Sequence, residues 1–121
     1  MKKPKTSRKK LETALDIAWS LKVRSSGFCA VCGPHIKHDV LHAHHIFSRN
    51  HKGTRWDLQN GIALCPRHHL YHAHKSPTDF TLWLIEYKGI YYIERLKIKA
   101  YGVCKWHECD LVILLNELNK T

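Results

Sequence analysis

The chain has 121 residues, of which 44% are hydrophobic, and it carries a formal net charge of +10. This length favours a single domain with a modest core, of the size that often gains stability from a bound metal. The cationic excess favours a polyanionic partner, most often a nucleic acid. The longest aliphatic run, residues 111–115, is far too short to span a bilayer, so a membrane protein is not expected.

The first ten residues, MKKPKTSRKK, form a basic stretch. No uninterrupted apolar segment follows it, because Glu12 and Asp16 come soon after Leu11, so no secretion signal is predicted and the protein is expected in the cytoplasm. There, five cysteines are expected to be metal ligands or free thiols. We predict a flexible basic arm over residues 1–10, either contacting DNA or simply solvated, followed by one domain over residues 11–121.

A zinc site is predicted from two ligand pairs. Cys29-x-x-Cys32 has the spacing of a zinc knuckle, and Cys65-x-x-His68 supplies a second pair. Together they predict a closed, tetrahedral Cys₃His site that holds a structural Zn²⁺. The alternative is two buried thiols that lie near each other without a metal.

Residues 41–74 contain eight of the eleven histidines. This concentration indicates a metal centre more than a solvated polar face. Short strands are predicted over residues 40–47 and 62–64, and the loop between them is rich in Arg, Lys, Asn and Gly. Within that loop the candidate phosphate-binding side chains are Arg49, Lys52 and Arg55, with ordinary surface charge as the alternative.

Apolar periodicity predicts the helices. They are expected over residues 11–23, from Pro66 to about residue 74, and over residues 76–88, 91–100 and 108–118. Their apolar stripes are expected to form the core. Cys104, His107 and Cys109 could offer three metal ligands, but no fourth is evident, and buried thiols under a loop are the favoured interpretation.

The order of several unlike motifs resembles the HNH endonuclease family. These motifs are His44-His45, then Asn60, then Leu64-Cys65-x-x-His68-His69. The segment HHLYHAHKSPTDF is also similar to the pattern CHLYWAH-x-x-P-x-x-F of a phage and bacterial subgroup. The resemblance covers about residues 28–80. It implies an α+β fold with a small ββα-metal hairpin-and-helix core stapled by zinc, here flanked by N-terminal and C-terminal helices.

The resemblance also implies roles for individual residues. His44 and His69 would bind a catalytic divalent ion, Mg²⁺ or another, and His45 would be the general base. Successive strand residues point to opposite faces, so His44 and His45 are suited to different tasks, and an imidazole titrates near neutrality. Asn60 would pin the loop and so orient the base, although Asn-Gly is also a common turn dipeptide.

The third ligand of the catalytic ion stays open between two histidines. Position 73 is alanine, where a next-turn ligand would stand in a regular helix. Helical geometry favours His72, whereas the subgroup pattern favours His74, which we adopt. His68 is assigned to zinc because it has the knuckle spacing, and His42 and His51 are expected to lie outside both ligand sets.

The expected function is therefore metal-dependent hydrolysis of DNA phosphodiester bonds by a monomer or homodimer. The resemblance implies a 5′ phosphate and a 3′ hydroxyl as the products. One alternative is a zinc-dependent DNA-binding module without catalysis. The other is a structure-specific nuclease for branched DNA in phage recombination.

Overall fold

A computed structural model describes residues 6–120 of the chain. In this part of the chain a two-stranded hairpin is surrounded by helices, which confirms the predicted small α+β architecture. In chain order the elements are α1 (Ser7–Arg24), β1 (His42–His45), a 3₁₀ turn (Leu58–Asn60), β2 (Gly61–Leu64), a π-helix (His68–His74), α2 (Pro77–Lys88), α3 (Ile90–Tyr101) and α4 (Glu108–Leu118). None of the described helices combines the length and the apolar character needed to cross a membrane.

The first helix begins earlier than its apolar pattern predicts. The side chain of Thr6 accepts a hydrogen bond from the backbone nitrogen of Lys9 at 3.2 Å and so caps α1 at Ser7. Residues 7–10, predicted as part of a flexible arm, are therefore helical. Residues 1–5 of that arm lie outside the described residues.

The hairpin pairs β1 with β2 in antiparallel register, with His42 opposite Leu64 and His44 opposite Ile62. β1 is two residues shorter at each end than its predicted range, and β2 begins one residue earlier than predicted. Because side chains alternate along a strand, His42 and His44 share one face of β1, and Ala43 and His45 share the other.

Two hydrophobic clusters cover the two faces of the hairpin. The first cluster packs beneath α2 and contains Cys29, Ile62, Leu64, Cys65, Ala73, Phe80 and Leu84. The second lies between α1 and α4 and contains Leu15, Ala18, Trp19, Trp56, Leu111 and Leu118. Ala43 of β1 packs against the second cluster. The face of β1 that carries His42 and His44 and the face that carries His45 therefore lie in different environments.

The packing of α1 on the hairpin depends on a glycine. A Cβ atom at Gly61 would lie 2.8 Å from Cζ2 of Trp19, closer than a real Cβ contact allows, and would also collide with Val23. The φ angle of Gly61 is −117°, which any residue can adopt, so the requirement is for space. Absence of a side chain at this position lets α1 approach β2 closely.

Candidate functional site

The four predicted zinc ligands meet at one point beside the first hydrophobic cluster. The donor atoms of Cys29, Cys32, Cys65 and His68 all lie within 4.8 Å of one another. His68 contributes Nδ1, which lies 3.6 Å, 3.3 Å and 3.3 Å from the three sulfur atoms in that order. The sulfur atoms of Cys32 and Cys65 are 4.0 Å apart. A tetrahedral Zn²⁺ separates such ligand atoms by roughly 3.5–3.8 Å, so this donor set fits the ion.

The electrostatics of the thiols also call for a cation. Burial, followed by the neighbouring Cys29, raises the pKa of Cys32 to about 12. At Cys29, burial alone would raise the pKa, but hydrogen bonds from the backbone at Cys32, Cys65 and Val31 outweigh it and lower the pKa. Backbone amides thus face the Cys29 sulfur, as a zinc knuckle requires. The second thiolate forms readily only when a cation balances the charge of the first.

A second cluster contains histidines alone. The nitrogen donors of His44, His69 and His74 lie within 4.8 Å of one another, and Nε2 of His69 is 3.1 Å from Nε2 of His74. A divalent metal bound to imidazoles at about 2.0–2.2 Å separates adjacent ligand atoms by about 2.8–3.6 Å, from octahedral to tetrahedral geometry, so this cluster also fits an ion. It offers three donors, which leaves coordination positions for other molecules.

The π-helix decides which histidine joins this cluster. Its backbone bonds join each residue to the one five positions on, as in the 3.2 Å bond from the Lys75 nitrogen to the Leu70 oxygen. Residues five apart therefore share a face, which brings His74 beside His69. His72 points elsewhere: its ring lies 5.2 Å from that of Phe80 and contacts those of His68 and Trp83. The structure thus places His74, and not His72, with His44 and His69.

Two of the three cluster histidines, His44 and His69, are held neutral, the state that binds a metal. Burial, followed by the neighbouring histidines His69 and His74, lowers the pKa of His44 to about 4. Burial and the same kind of repulsion from His74 and His42 lower the pKa of His69. Both imidazoles therefore keep a lone pair available near pH 7.

His42 was expected to lie outside the ligand sets, and the structure gives it a specific contact. Its Nδ1 lies 2.9 Å from Nδ1 of His69, within hydrogen-bonding distance. This contact occupies one nitrogen of His69 and leaves the other, Nε2, facing His74. Sequence spacing gave no sign of this pair, because the two residues are joined only through the fold.

His45 lies on the opposite face of β1 from His44 and is held on two sides. Its Nε2 donates to the carbonyl oxygen of Arg55 at 2.9 Å, and its ring stacks on Trp19 with 3.8 Å between centroids. Because a carbonyl only accepts, Nε2 carries the hydrogen, and Nδ1 of the neutral ring is the basic nitrogen. Burial lowers the pKa of His45 in spite of the hydrogen bond to Arg55, so the ring is neutral near pH 7.

Asn60 is fully buried and clamps the chain that leaves β1. Its Oδ1 accepts a hydrogen bond from the Phe47 nitrogen at 2.7 Å, and its Nδ2 donates to the Phe47 oxygen at 2.9 Å. Its own carbonyl accepts from the Ile46 nitrogen at 2.9 Å. Asn60 therefore fixes the backbone immediately after His45, which is more than a turn residue would do.

Of the three loop cations, Arg55 is engaged with carboxylates of α1. Its guanidinium binds Asp16 through two bonds of 3.1 Å and 2.8 Å, and it lies 3.8 Å from Glu12. Arg49 also reaches Asp16, at 3.2 Å, but its side chain is 61% exposed. Lys52 is exposed. Arg49 and Lys52 therefore remain accessible to a phosphate, whereas Arg55 holds the loop to α1.

Asp16 is a site residue that the sequence did not indicate. Burial alone would raise its pKa, but hydrogen bonds from Arg55 and Trp56 and the charges of Arg55 and Arg49 lower it. Asp16 thus stays ionised and secures Arg55, whose carbonyl oxygen holds His45. Only a helix-to-loop contact across about forty residues of sequence creates this arrangement, so no local pattern could reveal it.

A cavity of about 630 Å³ joins these groups. Its polar lining includes His44, His45, His69, His74 and Arg49, while Phe80, Leu84 and Ile93 supply apolar walls. In contrast, the Cys-rich cluster contributes no residue to the lining. The site can therefore bring a substrate against a three-histidine cluster, a separate neutral histidine and one cation.

The residues Cys104, His107 and Cys109 do not form a third cluster. Among the described residues, the groups that could hold a metal are the two above. Cys109 is exposed and Cys104 is half-buried, so the expectation that these thiols lie buried under a loop is wrong for Cys109. His107 instead begins α4, where its backbone nitrogen donates to Asp110 at 3.0 Å.

Comparison with protein families identifies this region. Residues 29–75 match a family model described as HNH endonuclease, and the matched segment contains both ligand clusters, His45 and Asn60. No curated protein and no solved structure gave a significant match to the chain. The resemblance found in the sequence is thus confirmed for residues 29–75, the segment that matches the HNH endonuclease model.

Proposed function

We propose that this HNH domain hydrolyses DNA phosphodiester bonds, with His45 as the general base and one divalent ion held by His44, His69 and His74. The observation that carries the proposal is the convergence on one cavity of a three-histidine cluster and a neutral histidine that is not part of it. Hydrolysis needs both an activated water and relief of charge on the phosphate.

The base follows from the hydrogen bonding of His45. Its Nε2 is committed to the Arg55 carbonyl, so Nδ1 is the atom that takes a proton from water. Stacking on Trp19 and the clamp by Asn60 fix the ring's position before substrate arrives. Such fixed geometry is what general-base catalysis requires, and a positioned base typically contributes about 10²–10⁴-fold in rate.

The ion-binding role is supported by the chemistry of the donors. When bound, a divalent cation supplies positive charge that stabilises the phosphate in the transition state and the departing 3′ oxygen. His44, His69 and His74 would hold it through their imidazole nitrogens. Imidazole ligands suit Zn²⁺, Ni²⁺ and similar ions, whereas Mg²⁺ prefers oxygen ligands, so among the divalent ions that the resemblance allows we favour a transition metal over Mg²⁺.

DNA is the proposed substrate because the chain is strongly basic and residues 29–75 match an endonuclease family model. Arg49 lines the cavity and Lys52 lies exposed on the same loop, where both can contact phosphates. The Cys₃His cluster would hold a Zn²⁺ that stabilises the fold and takes no part in the reaction, since its four donors leave no open position.

A plasmid-nicking assay tests the proposal. The wild-type protein should convert supercoiled DNA to nicked circles with Mn²⁺, Ni²⁺ or Mg²⁺, and EDTA should stop the reaction. His45→Ala should lower the rate by about 10²–10⁴-fold. His35→Ala, which changes an exposed histidine outside the cavity, is the matched control and should cleave normally.

The same assay separates the alternatives. If the wild-type protein binds DNA and zinc but leaves the plasmid intact with Mn²⁺, Ni²⁺ and Mg²⁺ alike, it is a DNA-binding module without catalysis. The nuclease proposal would then fail. Faster cleavage of a four-way junction than of linear duplex would favour the structure-specific nuclease.

A further inference from the structure

Three aromatic rings that the proposed chemistry does not use lie together beside the cavity. We call Phe47, His51 and Tyr101 the aromatic ledge. The ring of Tyr101 lies 5.0 Å from that of His51 and 5.9 Å from that of Phe47, measured between centroids. Tyr101 is 61% exposed although it belongs to an aromatic cluster. An aromatic ring this open has unused surface for a further contact.

The ledge lies between two concave regions. Phe47 lines the cavity that contains His44 and His45. On its other side, His51 and Tyr101 line a second hollow of about 400 Å³ together with Asn50, Lys52, Ala100, Gly102 and Cys104. A polymer that places one unit against His45 therefore has a path over the ledge for the next unit.

Cations accompany this path. Arg49 lines the cavity, Lys52 lines the second hollow, and Nζ of Lys97 lies over the ring of Tyr101, 5.9 Å from its centre. All three side chains are exposed. Aromatic rings interleaved with cations are the usual means by which proteins bind unpaired nucleic acid, since bases stack on the rings and phosphates bind the cations.

The ledge is held rigidly enough to act as a platform. The loop that carries His51 packs tightly on the end of α3: a Cβ at Gly53 would lie only 2.7 Å from the Lys99 carbonyl oxygen. Trp106 fixes the same loop by donating from Nε1 to the Lys52 carbonyl oxygen at 2.9 Å. A stacking site needs such support, because a ring that must first be ordered binds more weakly.

We propose that the aromatic ledge stacks on an unpaired DNA base next to the phosphate presented to His45. In duplex DNA the faces of the bases are covered by their neighbours, so only a single-stranded, flapped or distorted segment can place a base on Tyr101. This inference rests on the proposed nuclease function and deepens it, since it names the substrate class as DNA with unpaired bases near the cleavage position.

Binding measurements without cleavage test the ledge directly. In a His45→Ala background, Tyr101→Ala should weaken binding of a short single strand by about 5-fold or more, the effect of losing one stacked base. Its affinity for fully paired duplex at the same salt concentration should change less than about 2-fold. Tyr101→Trp, which keeps an aromatic face, should retain single-strand affinity.

The chain offers a matched control on the same helix. Tyr91 also belongs to α3 and is 83% exposed, but it lies ten residues from Tyr101 and outside both concave regions. Tyr91→Ala should leave single-strand binding unchanged. Photo-crosslinking of a single strand that contains 5-iodouracil should label Tyr101 or His51, identified by peptide mass spectrometry.

Each result has a defined meaning. Equal loss of single-strand and duplex affinity in Tyr101→Ala, or no loss at all, overturns the proposal. So does retained binding in Tyr101→Ala combined with crosslinks elsewhere. These measurements need no cleavage, so a failure of the nuclease proposal can be told apart. In that case the wild type is inactive in the nicking assay, but Tyr101→Ala still loses affinity for single strands more than for duplex.

Discussion

The Cys-rich cluster and the histidine cluster both take ligands from the π-helix, yet their surroundings differ. His68 belongs to the first and His69, the next residue, to the second. The first has four donors, two of them buried, and no part in the cavity lining. The second has three donors that all line the cavity. The number of donors and their access to solvent, more than residue type, distinguish a folding site from a reaction site.

The largest expected effect concerns the Cys-rich cluster. Cys65→Ala should leave the chain largely unfolded at room temperature, because a structural zinc contributes about 10–16 kcal/mol against a typical net stability of about 5–15 kcal/mol. Circular dichroism and the zinc content of the purified protein measure this. Cys109→Ala, which removes an exposed thiol, should keep both near wild type. A folded, zinc-free Cys65→Ala protein would show that this cluster does not hold the fold together.

The next effect concerns the histidine cluster. His74→Ala should lower affinity for the second metal, and with it the nicking rate, by more than about 100-fold, since it removes a donor outright. The melting temperature should change little, because His74 is exposed. His72→Ala is the matched control, two residues away on a different face of the π-helix. Titration with Co²⁺, followed by its visible absorption, reports binding independently of cleavage. Equal losses in both variants would show that the π-helix does not select His74.

A smaller effect is expected at His42, whose Nδ1 contacts that of His69. Partners that fix a metal-binding imidazole typically contribute about 10–100-fold in metal affinity, so His42→Ala should lose affinity in that range. His42→Asn, which can still form a hydrogen bond, should recover part of it. The same Co²⁺ titration measures both variants. If His42→Ala binds Co²⁺ as tightly as wild type, the contact does not position His69.

The smallest effect concerns Asp16, which belongs to neither ligand cluster but holds Arg55 in place. Asp16→Asn should lower the free energy of unfolding by about 1 kcal/mol, because it weakens charge-assisted hydrogen bonds that are partly exposed. It should also slow nicking through a less well fixed His45, without a change in metal affinity. Urea denaturation and the nicking assay measure the two effects.

The stability difference between wild type and Asp16→Asn depends on pH through the lowered pKa of Asp16. A carboxyl whose pKa is lower in the folded state stabilises the protein above its ordinary pKa, and that contribution is lost as pH falls through the lowered value. Between about pH 6 and about pH 8 the stability difference between wild type and Asp16→Asn should therefore be constant. A difference that varies across this range would mean that another titrating group is involved.

Sequence patterns predicted much of the fold because they report local geometry. The range predicted for the last helix, residues 108–118, agrees with α4, and the hairpin lies within a residue or two of its predicted position. Pair spacing indicated the Cys₃His donors, since ligands on a tight turn must recur at fixed intervals. The start of α1 at Ser7 was missed because a cap at Thr6 extends the helix through residues without apolar periodicity.

What the sequence by itself determined is the inventory of donors and the family that their order resembles. Only the tertiary structure decided which donors belong to the Cys-rich cluster and which to the histidine cluster. A regular helix would have favoured His72, and the π-helix instead turns His74 toward His69. The stacking of Trp19 on His45 and the hold of Asp16 on Arg55 join α1 to the hairpin across long stretches of chain. Periodicity records which face of an element is buried, but it does not record which distant side chain covers it.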